Sequence, residues 1–325
     1  MVRKTSRSRG SSVIAALIVL CALIGYGLSE WKLLPDTMEA VPASRQAAEQ
    51  GMAPEKITLP EKGEPVRMLT MNAGNYFVPE DPRRSNFQVK YKPVEAREAI
   101  AELVRQSGAE IVGLSEMGGE AAVNDLQMRL KRKGVQLPHK VLVMRDGEDR
   151  GLALLSKYPI VSNRSVTDMP VSGEPKRRKT MLRGILDATV KMPDSRQFRL
   201  IGVHLKSRLS RDGSAEETRR REAYALRDYL NGVMASQDGM PLLLYGDFND
   251  GPADSSVQVI QGPAKTDSRL NRLKPRDSRG ETWTIYYEDG DTYHSFDHIF
   301  INNTLKKRLG RKPPMGVIDT PPSRQ

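Results

Sequence analysis

This sequence predicts an α/β protein in which helices cover a core of packed sheet. Three observations lead there. Several segments repeat apolar residues at helical spacing. Many short apolar runs of strand length lie between them. Five of those runs end on a residue able to do chemistry, which is how sheet proteins place a site at strand ends.

Residues 1–9 are basic, with Arg3, Lys4, Arg7 and Arg9. Residues 10–29 carry no charge and include Val13 to Leu20. As a helix this stretch spans about 30 Å, the depth of a bilayer core. The preceding cations predict a cytoplasmic N-terminus and an extracytoplasmic domain, with Trp31 and Lys32 at the interface. An uncleaved transmembrane signal anchor is expected; the alternative is a cleaved signal peptide and a secreted remainder. Residues 30–64 contain Pro35, Pro42, Pro54 and Pro60 and sustain no apolar period, which predicts a flexible linker. The folded domain is expected over 65–325.

Within it, Val66 to Met71 reads as the first strand. Pro93 opens and Gly108 closes a helix whose Ala96, Ala99, Ile100, Leu103 and Val104 share a face. Ile111 to Glu116 reads as a strand, and Glu120 to Lys133 as a helix closed by Gly134. Strands are expected at Lys140 to Met144, Leu152 to Ser156, Met181 to Val190 and Phe198 to His204. Ser214 and Glu217 have capping-box spacing and start a helix with Ala223, Leu226 and Leu230 inward. Pro241 precedes the buried strand Leu242 to Tyr245. Thr282 to Tyr287, a turn over 288–291 and a strand around Ile299 complete the pattern.

The net charge is +11, and the four cations of residues 1–29 leave 11 − 4 = +7 for the rest. A basic domain favours polyanions, nucleic acid or phosphorylated lipid, although surplus Lys and Arg also serve solubility alone. Cys21 is the only cysteine, so no intramolecular disulfide and no cysteine metal site exist. Four histidines and no Gly-Asn-His segment argue against a two-metal calcineurin-type phosphatase.

The strand ends present Asn72, Glu116, His204, Asp247 with Asn249, and Asp297, in that order. Any one of them also has an ordinary reading: Gly-Asp-Phe-Asn at 246–249, for example, makes a plain turn. On a strand, Asp247 and Asn249 would point to one face. The ordered set resembles the endonuclease/exonuclease/phosphatase superfamily over roughly Pro65 to Ile301. The resemblance implies a four-layered α/β sandwich with two packed mixed sheets, deoxyribonuclease I-like. It implies hydrolysis of phosphoesters with Mg2+, Mn2+ and Ca2+ being the other hard cations considered. It makes Glu116 and Asn72 the metal ligands and His204, Asp247, Asn249 and Asp297 the catalytic groups. Asn72 and Arg150, the latter in Arg-Gly-Leu-Ala-Leu-Leu-Ser, become substrate contacts. The implied partners are a phosphodiester, as nucleic acid or phospholipid, and the membrane through residues 10–29.

The sequence departs from the family pattern in two places. His298 stands where a Tyr usually follows the acid at 297. No Ser-Asp-His-x-Pro segment follows Asp297, so the last strand is expected to be missing and catalysis impaired, unless His294 or His298 substitutes. The alternative function is therefore a tethered phosphate- or nucleic-acid-binding module.

Overall fold

A computed structural model describes residues 17–19, 66–79, 90–171, 179–208, 214–236, 239–277, 279–287 and 290–309. The expected basic segment, most of the expected anchor, the linker and residues 310–325, after which the last strand was expected to be missing, lie outside them. Within residues 10–29 only β1 (Leu17–Val19) is described, and it is extended where a helix was expected. It pairs antiparallel along the edge of β2 (Met68–Tyr76), where an extended segment completes open hydrogen bonds. Among the described residues no helix is long and apolar enough to cross a membrane.

α1 (Val94–Ser107), β3 (Ile111–Met117), α2 (Glu120–Arg132), β4 (His139–Val143) and β5 (Gly151–Ser156) follow. Gly108 closes α1 in the left-handed region, φ 61°, as its place after the last apolar residue predicts. β1, β2, β3, β5 and β4 form the first sheet in that order, with β2 and β3 parallel.

β6 (Ile160–Asn163), β7 (Pro170–Val171), β8 (Lys179–Thr180) and β9 (Leu186–Lys191) come next. The single strand expected over Met181 to Val190 is interrupted. Gly184 turns through φ 70°, and a side chain there would meet the Val166 carbonyl at 2.3 Å. β10 (Gln197–His204), α3 (Ala215–Ser236), β11 (Leu242–Asp247), α4 (Ser255–Gln261) and β12 (Asn271–Arg272) lead to the hairpin of β13 (Ile285–Tyr287) and β14 (Thr292–His294). β15 (Asp297–Ile301) and α5 (Asn303–Leu309) end the described chain. The second sheet runs β12, β15, β11, β10, β9, β6, with β10 and β11 parallel.

Strand alternation sorts the side chains into layers. Leu243, Tyr245, Ile299 and Ile301 of the second sheet meet Ile111, Val141, Val143, Leu152 and Leu154 of the first. Leu242, Leu244 and Phe300 turn the other way, onto Leu226, Leu230, Val257 and Ile260 of α3 and α4. The outer face of the first sheet packs on Ala101, Val104, Val123, Leu126 and Leu130 of α1 and α2. The result is the four-layered α/β/β/α sandwich. Tyr245 wedges between the sheets because Gly113 and Gly202 lack side chains: a Cβ at either would lie 2.1 Å or 2.8 Å from its ring.

Candidate active site

β2, β3, β10, β11 and β15 direct their site ends to one edge of the sandwich, so both sheets contribute to one cluster. Asn72 joins them. Its Nδ2 donates to Glu116 Oε1 at 3.1 Å and to Asp247 Oδ2 at 3.0 Å, while its Oδ1 accepts from Gly74 N. Glu116 Oε2 accepts from Asn75 N at 2.9 Å. Glu116 itself sits at φ 56°, Asn75 at 57° and Asn249 at 52°. Three of the six non-glycine residues with positive φ among the described residues thus belong to this cluster. Such strain persists where the surrounding bonds over-determine the backbone, as they do at Glu116.

In the second sheet His204 is the ladder partner of Asp247, and Asp247 of Asp297. Asp247 is 8% exposed. Burial raises its carboxyl to about 6, against the hydrogen bonds from Asn72 and from Asn249 N. Burial, and then the Asp247 charge, raise Asp297 well above the usual carboxylate range. His204 Nε2 approaches Asp247 Oδ2 to 3.7 Å. Burial, then Arg183 and Arg150, lower the His204 pKa well below its ordinary value, so this approach joins a neutral imidazole to a carboxylate and is not an ion pair. His204 Nδ1 is buried and has no hydrogen-bond partner among the described residues.

The structure brings together all seven residues singled out by sequence, with one revision. The strand ends at Asp247, so alternation does not place Asn249 beside it. A turn does: Asn249 N donates to Asp247 Oδ1 at 2.9 Å. Asn249 Nδ2 donates to the Leu205 carbonyl at 3.0 Å, which fixes the side chain. Arg150, just before β5, acts electrostatically on His204, and its Nε is 3.5 Å from Asp149.

Sequence reasoning missed three members. Arg183 is 8% exposed, its Nε and Nη1 are buried without hydrogen-bond partners among the described residues, and its charge bears on His204 and Asp247. It stood unnoticed behind Lys176, Arg177, Arg178 and Lys179, a run that reads as a solvated surface. Lys92, entering α1, is half-buried; burial lowers its pKa, opposed by Glu116 nearby. Thr284 Oγ1 donates to Asp297 Oδ2 at 2.8 Å and accepts from the Phe296 and Asp297 amides, fixing the carboxyl.

His298 does not reach this cluster as a substitute histidine. Alternation turns its ring to the far side of β15, where it packs on Phe248 at 5.4 Å and its Nε2 bonds the Asp250 carbonyl at 2.8 Å. Burial lowers its pKa to about 4; Arg272 acts the same way, while Asp250 and Asp254 act against it. The unfolded chain therefore binds a proton near pH 6.5 that the folded chain refuses until about pH 4. Stability is expected to fall across that window as pH drops, by up to about 3 kcal/mol. Urea midpoints at pH 7 and pH 4.5 measure this, and His298→Gln should shrink the difference; an unchanged difference would exclude His298 as its source.

The donors present suit a hard divalent cation. Glu116 offers carboxylate oxygen; Asn72 turns Nδ2 toward it and Oδ1 toward Gly74 N, so its amide oxygen joins the set only when the amide is reversed, and such a small set matches an ion keeping several waters, as Mg2+ does. Among the described residues no group of three or more His, Cys, Asp or Glu forms a denser cage.

Paired buried carboxylates, a neutral histidine and the cations Arg150 and Arg183 at the end of two packed sheets suit a phosphoester-hydrolase type of site. The chain belongs to the endonuclease/exonuclease/phosphatase family, whose model matches residues 85–319. It is similar to the β-hairpin deletion mutant of beta toxin from Staphylococcus aureus, with a TM-score of 0.50, 16% identity, and coverage of 72% of this chain and 88% of that one. Other similar structures are a mannosyl-6-phosphatase from Bacteroides thetaiotaomicron (TM-score 0.48, 19% identity, 64% and 76% covered) and the human Nocturnin catalytic domain (0.46, 19%, 66% and 77%). At these identities the likeness is one of fold. No curated protein matches the chain.

Proposed function

We propose that this protein is a divalent-cation-dependent phosphodiesterase held at a membrane by residues 10–29, a state in which Leu17–Val19 leave the edge of β2. The observation that carries the reading is the bonding of Asn72 to both Glu116 and Asp247, which joins the oxygen donors of one sheet to the acid of the other. Glu116 and Asn72 would hold the cation, which when bound neutralises charge on a phosphoryl oxygen. Arg150 and Arg183 bind the phosphate oxygens from the side of His204. Asp247 orients the attacking water and accepts its proton, a task suited to a carboxyl raised to about 6. Asn249 Oδ1 orients that water from the adjacent turn. Asp297, held by Thr284 and raised well above the usual carboxylate range by burial and the Asp247 charge, is the group placed to donate a proton to an oxygen of the phosphate or leaving group. Neutral His204 completes the wall against water. The uncharged stretch of residues 10–29 behind four cations supports the tether, and the basic charge supports a polyanionic substrate.

The test uses purified full-length chain with bis-p-nitrophenyl phosphate and plasmid DNA. Hydrolysis is expected with Mg2+, to vanish with chelator, and to return when Mg2+, Mn2+ or Ca2+ is restored. Turnover that survives chelation would overturn the cation requirement. A folded chain that binds phosphate without turnover would instead be a tethered binding module.

A further inference from the structure

Between the central strand and Asp297 the chain builds the β13–β14 hairpin, and its composition is unusual. The segment 283–296 holds Trp283, Tyr286, Tyr287, Tyr293 and Phe296, five of the 18 aromatic residues (Phe 6, Trp 2, Tyr 10) of the chain. The register pairs Tyr286 with Tyr293, Tyr287 with Thr292 and Ile285 with His294. Alternation then divides the rings between two faces. On one, Tyr286 lies 4.8 Å and Trp283 5.1 Å from Tyr293, which is 55% exposed. On the other, Tyr287 lies 5.7 Å from His294, and His294 stacks on Phe296 at 5.0 Å and 22°.

This second row leads into the active site. Phe296 directly precedes Asp297, and its carbonyl accepts from Phe248 N at 2.8 Å. The Asp247 charge, after burial, raises the Tyr287 pKa, so the phenol end of the row lies within electrostatic reach of that acid. The guanidinium of Arg208 covers Phe296 at 4.7 Å from the ring centre. It is held there by Asn249 O at 3.0 Å and Asp250 at 3.1 Å, with Asp254 as a third partner. Phe296 is 2% exposed and covered by His294 and Arg208, so it is the floor of the row; the half-buried Tyr287 and His294 are its open rings, and with the guanidinium beside them they suit a flat heteroaromatic ring with polar edges. An alkyl chain would gain nothing from the guanidinium or from the imidazole edge.

We propose that Tyr287 and His294, backed by the buried Phe296, form a stacking subsite for an unpaired nucleobase, so that the substrate is a single-stranded nucleic acid whose phosphodiester lies at Asp247. This deepens the phosphodiesterase reading and rests on it. The net charge of +7 beyond residue 29 supplies the attraction for the backbone, and the rings supply what a bare phosphate chain cannot use.

The experiment measures anisotropy of two labelled strands with the full-length chain, in chelator so that nothing turns over: a ten-residue oligothymidylate and the same ten-residue strand without bases. The base-bearing strand is expected to bind about tenfold tighter or more. Tyr287→Leu and His294→Leu should bring it close to the abasic strand, and Tyr287→Phe should keep the preference. Unchanged affinity for the abasic strand shows that the variants are folded. Equal binding of both strands overturns the subsite, as does a preference that survives both leucine variants. Tyr287-dependent binding to phosphatidylcholine vesicles without base preference also overturns it, in favour of a lipid surface. Hydrolysis of bis-p-nitrophenyl phosphate with Mg2+ is followed in parallel. If hydrolysis is absent while the base preference stands, the catalytic reading fails and the stacking subsite is upheld.

Discussion

Asp247→Asn is expected to lower kcat about a thousandfold while leaving the thermal midpoint unchanged or higher. The two readouts separate because the carboxylate is costly where it stands. It is buried, it neighbours Asp297 across the β11–β15 ladder, and its compensation is two donors, Asn72 Nδ2 and Asn249 N. Asparagine keeps the shape and one acceptor, so one hydrogen bond of about 1 kcal/mol is lost. Against that, a buried charge beside another carboxyl is removed, which returns a similar or larger amount. Catalysis has no such compensation, since an amide cannot accept the proton of an attacking water. Turnover within fivefold of the parent would remove Asp247 from the mechanism. A midpoint lowered by many degrees would mean that the carboxylate is structural.

The largest effect on folding is expected from Gly246→Ala, about 4 kcal/mol or more by urea unfolding. Gly246 sits at φ 145°, a region L side chains rarely adopt. A Cβ would lie 1.9 Å from the Val203 carbonyl oxygen and 2.9 Å from its carbon. Those atoms are backbone, and Val203 is the ladder partner of Gly246 between the two parallel central strands. Relief therefore requires separating β10 from β11, which carry His204 and Asp247. Gly232→Ala serves as the comparison: it lies inside α3 with nothing near the added carbon, and it should be neutral or stabilise by up to about 1 kcal/mol. Equal stability of the two variants would falsify the account of Gly246.

Much of the fold is legible along the chain because its signals are local. Gly108 and Gly134 punctuate helices where the apolar period stops, and both adopt positive φ. The apolar runs at 111–116, 152–156, 198–204 and 242–245 are strands to within about two residues. The site is legible for a related reason: the candidates lie at or close to strand termini, and strand termini that share one edge of the sandwich bring their residues together. Legibility fails where the reason lies elsewhere in the chain. The break in the strand expected over 181–190 comes from Val166 crossing beneath Gly184. His298 is indistinguishable in sequence from a site histidine, and only the pleat of β15 turns it toward Asp250.

The sequence by itself determined the α/β class, the strands and the polar residues at their ends, since these follow from hydrophobic period and turn chemistry. Tertiary structure alone decided how the two sheets face each other, with Tyr245 seated over Gly113 and Gly202. It alone decided that Asn72 binds Glu116 and Asp247 together, across separations of 44 and 175 residues. It also buried Arg183, which lies within the strand expected over Met181 to Val190, where its charge bears on His204. Period and propensity act between near neighbours. Burial, a hydrogen bond across two sheets and the pKa of a carboxyl depend on which distant atoms exclude the water.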